Sequence, residues 1–385
     1  MEILIALLLL LSFSILLGKL FERVGITEIV GQILAGIILG PSIFGFVTPS
    51  TVLSGIAEVA IFFILLFIGI QITTEVLTDH LRSASYFTLS SFIIPSFVMA
   101  FLGIYIFNIT PSAAITASIA LGVPSISIVS VLVYRHSIIN QEDGLRLLAG
   151  VISADIVAFV IFAVILHKLN PLITVAALAV FLALLLLIDY ETKRHSKGLR
   201  KIFSNLIKKR AEETLFALVI LMGLIVSAIF QVIGITYVLG ALFAGMLIHK
   251  TTVGVRPSRM LSNTFRRLND SFFIPIFFSI AGLAFTFPSA EYDGLLISMV
   301  LVAMCIGGTL NYIAANDRFT KLQSKDAVGI LGSRGAVGII IASLALQYGI
   351  ISNQLYTVVL VGTITLSIIM PLALTKKSER RAIEE

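Results

Sequence analysis

Charged residues and cysteines are both scarce in this sequence of 385 residues. Asp, Glu, Lys and Arg together make up only 12% of the chain, whereas soluble globular proteins carry about 25% charged residues. Apolar residues make up 58%. The single cysteine, Cys305, excludes a disulfide framework and lies in an apolar run, where we expect it to serve packing. The composition therefore predicts an all-α polytopic membrane protein.

The sequence also lacks the patterns of common catalytic and cofactor-binding sites. It contains no metal-ligand spacing of His and Cys, no nucleophile elbow, no Walker loop and no Gly-x-Gly-x-x-Gly. We therefore expect neither enzyme activity nor a cofactor. We also expect no cleavable signal peptide, because the first apolar run, residues 3–17, lacks a basic segment before it and an Ala-x-Ala end.

Apolar runs predict about thirteen membrane-spanning helices, several of them short. They cover about residues 3–18, 28–46, 54–74, 84–107, 112–133, 147–166, 171–189, 213–233, 235–249, 271–287, 294–315, 327–348 and 354–374. All Lys and Arg residues except Lys168 and Arg334 fall in odd-numbered loops or in the C-terminal tail. The positive-inside rule therefore places those loops and the C-terminus in the cytoplasm and the N-terminus outside.

This distribution explains the formal net charge of +6 as a topology signal, so we expect no nucleic-acid partner. We expect a multi-pass protein of the cell membrane whose surroundings are lipid. The basic stretch 193–210 has two open interpretations, an interfacial amphipathic helix or a solvated cytoplasmic loop.

The two halves of the chain resemble each other weakly. Residues 31–36 of the second span and 240–245 of the ninth share the spacing Gly-x-x-x-Ala-Gly. Phe-Phe-Ile precedes Gly69 in the third span and Gly282 in the tenth. The offset is about 209 residues, or seven spans, and an odd number of spans inverts the second copy. We assign residues 1–166 to a first six-span repeat, 167–212 to a linking span and basic cytoplasmic connector, 213–375 to a second six-span repeat, and 376–385 to a short cytoplasmic tail.

Asp155 is the one charge in the run 147–166. A carboxylate at that depth costs about 2.5–3.5 kcal/mol on insertion scales. One interpretation is a structural pair with an intramembrane cation, and the other is a carboxylate that binds and releases an ion or a proton. Gly150, Ala154 and Ala158 form a small-residue stripe beside it, which would let another helix approach closely.

The fifth and twelfth spans are interrupted at corresponding places. Pro124 interrupts the fifth, and four glycines within residues 329–338 interrupt the twelfth around Arg334. Two broken helices in corresponding positions indicate a binding site at the membrane midplane. We assign ion or proton binding to Asp155, Ser153, Ser125 and Ser127, with Asp155 as the ligand of the transported cation. We assign support of the broken helices to Pro124, Gly122, Arg334, Gly332, Ser333 and Gly335.

Arg334 keeps its proton at physiological pH, so it cannot itself carry a proton across the membrane. It must pair with a carboxylate or face the negative ends of broken helices. Asp155, Asp270 and Glu28 are the candidate carboxylates, and the sequence does not decide among them.

Four stretches make the chain resemble the monovalent cation/proton antiporters, in the branch of prokaryotic sodium/proton antiporters and potassium-efflux systems. They are residues 28–41, residues 65–71, the acidic span around residue 155, and residues 333–338. The resemblance covers nearly the whole chain. It implies thirteen helices, a six-helix core domain with two crossing broken helices, and a dimerisation domain built around the outer spans, and therefore a homodimer. It also implies elevator-like alternating access in which Asp155 takes either a cation or protons.

The chain departs from that family at positions that concern the ion and the stoichiometry. Ala154 stands where relatives often have Asp, Asn or Gln, and Gln71 stands where they commonly have Glu. Electrogenic relatives have a lysine in the tenth span that pairs with an aspartate, and no lysine occurs here between Asp270 and Phe287. We therefore expect electroneutral exchange of one proton for one cation, with Na⁺ as the cation and K⁺ or Li⁺ as alternatives. We expect no nucleotide-binding regulatory domain, because the chain ends soon after its last span.

The sequence leaves three other functions as alternatives. A sodium-coupled solute symporter would need a substrate pocket lined by Asn, Gln and aromatic residues near the breaks. A channel would conduct without a counter-ion, and an inverted repeat with a titratable midplane carboxylate argues against it. An intramembrane enzyme would need a second catalytic group.

Overall fold

The computed structural model describes residues 3–24, 26–71, 80–125, 141–166, 211–232, 236–248, 255–316 and 324–373. Within these ranges the regular elements are helices joined by turns and loops, and the one sign of β-structure is an isolated bridge between two residues. A helix that continues through a π-helical turn is counted as one here, which gives thirteen helices in the described residues. The predicted seventh span, the basic stretch 193–210 and the tail 376–385 lie outside them.

The first half contains six of these helices. They are α1 (Ile3–Arg23), α2 (Glu28–Leu39), α3 (Thr51–Gln71), α4 (Leu81–Tyr105), α5 (Pro111–Gly122) and α6 (Gln141–Leu166). The second half contains seven. They are α7 (Ala211–Val232), α8 (Tyr237–Met246), α9 (Val255–Leu268, Asn269–Phe273 and Ile274–Leu283), α10 (Ala290–Asn316), α11 (Ser324–Gly332), α12 (Ala336–Gln347) and α13 (Asn353–Ile369).

Among the described residues, six helices are long and apolar enough to cross a membrane, namely α1, α3, α4, α6, α7 and α10. Five shorter apolar helices in the same ranges, α2, α5, α8, α12 and α13, have 10–17 residues. Of these, α5 and α12 adjoin the breaks that the sequence predicts. The predicted class, an all-α polytopic membrane protein, is confirmed.

Two close helix crossings are related by the internal repeat. Helix α2 crosses α9 at Gly36 and Gly282, and a methyl group on either glycine would overlap the backbone of the other helix. Helix α3 crosses α8 at Gly69 and Gly245 in the same way. Gly36 corresponds to Gly245 and Gly69 to Gly282, each pair about 210 residues apart. The glycine motifs that indicated the repeat therefore lie at two equivalent crossings, each between a helix of the first half and a helix of the second.

Helix α2 is shorter than the span predicted at 28–46. It ends at Leu39, and the N–H of Gly40 donates to the Gly36 carbonyl at 2.8 Å. Pro41 has no N–H to continue the helical pattern. The apolar residues that follow lie in turns, where Phe44 is 61% exposed. The prediction, which rests on hydrophobicity alone, continues the span to residue 46 because the loop after α2 is as apolar as the helix.

Helix α9 begins at Val255, well before the predicted start of the tenth span at residue 271. Its first part is amphipathic, with Leu261 and Phe265 buried and Arg259 and Arg266 exposed. A search for apolar runs misses such a segment, because its average composition is polar although one face is apolar.

In the part of the chain that the structure describes, three π-helical turns interrupt otherwise continuous helices. They lie at Leu89–Ile93 in α4, Asn269–Phe273 in α9 and Ala303–Gly307 in α10. Helices α4 and α10 are the fourth elements of the two repeats, so two of these turns are repeat-related. In α4 the turn carries Ser90, whose hydroxyl donates to the Asn311 side chain of α10 at 3.3 Å. π-Helical turns often occur at functional sites.

The chain forms two compact units. The first contains α1, α2, α4, α5, α6 as far as Phe162, and the chain from Phe278 onward. The second contains α3, α7, α8 and α9 as far as Phe277. Both broken helices and Asp155 belong to the first unit. The boundaries of the predicted repeats and linker, at residues 166, 212 and 375, remain predictions.

Candidate ion-binding site

The two predicted breaks are present. Helix α5 ends at Gly122, and Val123 takes extended angles of φ −66° and ψ 123°. In the second repeat α11 ends at Gly332 and α12 begins at Ala336. Each break leaves backbone groups that no helical partner satisfies.

The breaks pass each other as two antiparallel extended segments. Pro124 and Arg334 form an isolated antiparallel bridge, and the N–H of Ser125 donates to the Ser333 carbonyl at 2.9 Å. Pro124 and Arg334 are also equivalent residues of the two repeats, like Gly122 and Gly332. A two-fold relation between repeats requires such a pairing, because the axis passes between a residue and its own copy.

Small residues permit this crossing. A methyl group on Gly335 would lie only 2.7 Å from the hydroxyl oxygen of Ser125. A methyl group on Gly338 would overlap the Ala120 carbonyl oxygen. Gly335 therefore supports the crossing sterically, as the sequence predicts for the glycines around Arg334.

Asp155 is fully buried in α6, at 0% exposure. Neither of its carboxylate oxygens has a hydrogen-bond partner among the residues that the structure describes. One turn before it, α6 packs closely on α4, where the Thr88 hydroxyl donates to the Gly150 carbonyl at 3.0 Å. Buried polar groups are normally satisfied, so this carboxylate is a candidate to take an ion, a proton or water as its partner.

Arg334 is 2% exposed and points to the end of the half-helix before the break. Its Nη1 donates to the Leu331 carbonyl at 3.4 Å, while Nε and Nη2 have no partner in the described part of the chain. Glu28, one of its candidate partners, instead pairs with Lys19 at 2.7 Å. Arg334 thus faces the negative end of α11, where a cation is favourable.

Ser367 is a residue of this region that sequence reasoning missed. It lies in α13, is 2% exposed, and donates its hydroxyl hydrogen to the Arg334 carbonyl at 2.8 Å. Its counterpart in the first repeat is Asp155, because Gly150 and Gly362 precede the two residues by the same number of positions. Aligning the sixth span with the thirteenth would have found it.

The two breaks differ at their equivalent carbonyls. The Arg334 carbonyl accepts the hydroxyl of Ser367, whereas no donor from the described residues reaches the Pro124 carbonyl. Asp155, the counterpart of Ser367, is likewise without a partner there. The described residues therefore supply a donor to the Arg334 carbonyl of the second break and none to the Pro124 carbonyl of the first.

Ser96 was also missed. This residue of α4 is 5% exposed, and its hydroxyl has no partner within the described ranges. It lies against Gly122, where a methyl group would overlap its oxygen. At the equivalent position of the other break, a methyl group on Gly332 would overlap Met370. The fourth span contains several serines, so the sequence gives no signal that singles out Ser96.

The remaining predicted site residues have different surroundings. Ser125 is buried at the bridge, and the Ser333 hydroxyl donates to the Gly329 carbonyl at 2.6 Å. Ser153 is only partly buried and, at two positions from Asp155, lies about 200° away around the helix. The structure does not bring it beside the carboxylate. Ser127 lies outside the described residues.

Comparison with known proteins agrees with this arrangement. The family model described as sodium/hydrogen exchanger, transmembrane, matches residues 8–376. A Na⁺/H⁺ antiporter of Enterococcus hirae is 26% identical over 375 residues, which is 92% of this chain and 94% of that protein. The Na⁺/H⁺-K⁺ antiporter GerN of Bacillus cereus is 23% identical over 365 residues, which is 92% of this chain and 91% of GerN.

The fold also resembles a solved structure. The sodium proton antiporter MjNhaP1 of Methanocaldococcus jannaschii superposes with a TM-score of 0.71 at 16% identity, covering 98% of this chain and 97% of that one. The family match across the chain, with its inverted repeat and crossing broken helices, leads to one conclusion: the protein belongs to the sodium/hydrogen exchanger family of monovalent cation/proton antiporters.

Proposed function

We propose that this protein exchanges a monovalent cation, with Na⁺ as the first candidate, for protons, and that both compete for Asp155. One observation carries the proposal. Asp155 is fully buried and both its carboxylate oxygens lack partners among the described residues. Leaving a carboxylate in this state is costly, so a transported ion or proton is its natural partner.

The internal repeat suggests how Asp155 holds its two ligands. Its counterpart Ser367 donates to the carbonyl of the second break, and we infer from the two-fold relation that Asp155 faces the Pro124 carbonyl of the first. Protonated Asp155 has an O–H that can donate to this carbonyl, as Ser367 does to its own. Ionised Asp155 and the same carbonyl oxygen can instead both ligate a cation. Proton and cation then use one acceptor and exclude each other.

Hydroxyl groups complete the proposed site. Ser125 is buried at the bridge, and Ser96 is buried against Gly122 with no partner in the described part of the chain. Oxygen ligands of this kind suit Na⁺, K⁺ and Li⁺, and the side chains do not choose among these cations. Arg334 and the positive charge it brings to the crossing have a supporting electrostatic role.

Transport proceeds by elevator-like alternating access in a homodimer, with the N-terminus outside and the C-terminus in the cytoplasm. The inverted repeat with its broken helices supports alternating access. The basic residues, concentrated in alternate loops, support the orientation.

The exchange is electroneutral, one proton per cation. Ala154 cannot titrate, and Asp155 is the one described carboxylate that is buried far from a helix end. The other two buried carboxylates in the described ranges, Asp143 and Asp326, lie in the first turns of α6 and α11. Carboxylates are stabilised at such positions by the helix dipole. One carboxylate alternating between a protonated and a cation-bound form moves the same charge in each half-cycle.

A symporter is less well supported. A cavity of about 330 Å³ in the first unit is lined by residues 107–110, Glu291 and Ser352, among others, and not by residues of the breaks. A solute bound in this cavity would therefore not lie beside Asp155.

The direct test is proton flux in proteoliposomes, measured with an internal pH dye after addition of Na⁺, K⁺ or Li⁺. The wild type should move protons in response to at least one of them. Asp155→Asn, which keeps the shape and removes the charge, should abolish the response while the protein stays monodisperse. Asp293→Asn, at an exposed carboxylate of α10, is the matched control and should exchange normally. Normal exchange by Asp155→Asn contradicts the proposal, and cation entry without any counter-ion indicates a channel.

A further inference from the structure

Ser367 satisfies a carbonyl that the break exposes. The Arg334 carbonyl lies in the extended segment between α11 and α12, so no helical N–H reaches it. The Ser367 hydroxyl supplies the donor at 2.8 Å, and both residues are 2% exposed. A buried carbonyl that loses its donor cannot turn to water, so this hydrogen bond fixes the break more firmly than a surface one would.

Contacts connect Ser367 to the first break. The carbonyl that it binds belongs to Arg334, which pairs with Pro124 in the antiparallel bridge. On the same segment the Ser333 carbonyl accepts the N–H of Ser125 at 2.9 Å. A hydroxyl on α13 therefore holds one strand of the bridge, and the bridge holds the segment that carries Pro124 and Ser125.

We propose that Ser367 is a positioning residue for cation binding. Its hydroxyl holds the Arg334 carbonyl, and through the bridge it keeps the Pro124 carbonyl and Ser125 in place for a cation at Asp155. By occupying the repeat-equivalent place of Asp155, it also keeps the second break closed to ions, so that the protein has one site. This inference rests on the proposed role of Asp155.

The chain supplies a matched control on the same helix. Thr363 lies one turn before Ser367 on α13 and is also 2% exposed. Its hydroxyl has no partner among the described residues. If loss of any buried hydroxyl from α13 disturbed transport, Thr363→Val would behave like Ser367→Ala.

The experiment measures the Na⁺ dependence of proton flux in proteoliposomes for wild type, Ser367→Ala, Ser367→Thr and Thr363→Val. If another cation drives flux in the wild type, that cation is used. We expect Ser367→Ala to raise KM about three- to tenfold, the range expected from losing one buried hydrogen bond, with kcat changed by less than about twofold. Ser367→Thr keeps the hydroxyl and should restore a wild-type KM. Thr363→Val should leave KM unchanged.

Several outcomes overturn the inference. They are a wild-type KM in Ser367→Ala, an equal rise in Thr363→Val, or a fall in kcat without a change in KM. If Ser367→Ala does not fold, Ser367→Cys replaces it, since a thiol is a weak donor. Its KM should lie between those of wild type and a threefold increase, and a wild-type KM again overturns the inference. Asp155→Asn in the same assay separates the two proposals, because exchange by that variant removes the proposed function itself.

Discussion

Arg334 is among the largest side chains that the described part of the protein buries almost completely. Its guanidinium lies at the carboxyl end of α11 and donates to the Leu331 carbonyl. Arg334→Ala should therefore lower the melting temperature in detergent and reduce exchange, because it leaves a cavity and removes the donor of a buried carbonyl. The cost of that carbonyl alone is about 1–3 kcal/mol. Arg23→Ala, at an exposed residue at the end of α1, should change neither property. A fully stable and active Arg334→Ala variant would show the arginine to be peripheral.

At the residue scale, the sequence predicts the charged and helix-breaking members of the site but not its hydroxyls. Asp155, Pro124 and Arg334 stand out because charge and proline are rare inside apolar helices. Ser96 and Ser367 do not, since serine is common there and its role depends on what it faces. The partner of Arg334 was equally open, because a helix end and a carboxylate attract the same cation. Only the structure of the break shows that the Arg334 guanidinium faces the carboxyl end of α11.

At the scale of elements, the glycine crossings give the sharpest prediction. Gly36→Ala should strongly reduce the yield of monodisperse protein, because its methyl group would overlap the Ser279 carbonyl of α9. Gly55 is the control, since nothing lies within 4 Å of a methyl group there. Gly55→Ala should be neutral or slightly stabilising, as alanine is favoured over glycine in helices by about 0.8–1 kcal/mol. Size-exclusion chromatography and thermal melting check both. Equal behaviour of the two variants would contradict the crossing.

Element positions were more predictable than element ends. The sequence predicts both breaks from proline and glycine inside apolar spans. It predicts the repeat from glycines at matching positions, such as Gly36 and Gly245. The start of α9 at Val255 did not follow, because an amphipathic helix has no continuous apolar run. The π-helical turns did not follow either. Each such turn inserts one residue into a helix, which the composition of that helix does not reveal.

At the scale of the whole molecule, electroneutrality predicts that membrane voltage leaves the exchange equilibrium unchanged. Voltage acts on net moved charge at about 2.3 kcal/mol per elementary charge per 100 mV. The test uses proteoliposomes with the same K⁺ gradient in the presence and in the absence of valinomycin, so that only the potential differs, with Na⁺ as the exchanged ion. The Na⁺ gradient that nulls proton flux should be the same at every potential. A null point that moves with voltage would reveal a second titrating group and overturn the role given to Ala154.

The competition of proton and cation at Asp155 is tested most directly by proton release from the purified protein. Na⁺ is added to wild type in weakly buffered detergent solution, at the pH where exchange is half-maximal, and the released protons are counted against protein. K⁺ or Li⁺ takes its place if exchange shows that cation to be the substrate. Binding should release protons from the wild type, up to one per protomer, and none from Asp155→Asn. Cation binding without proton release, or equal release from both proteins, would contradict a shared site.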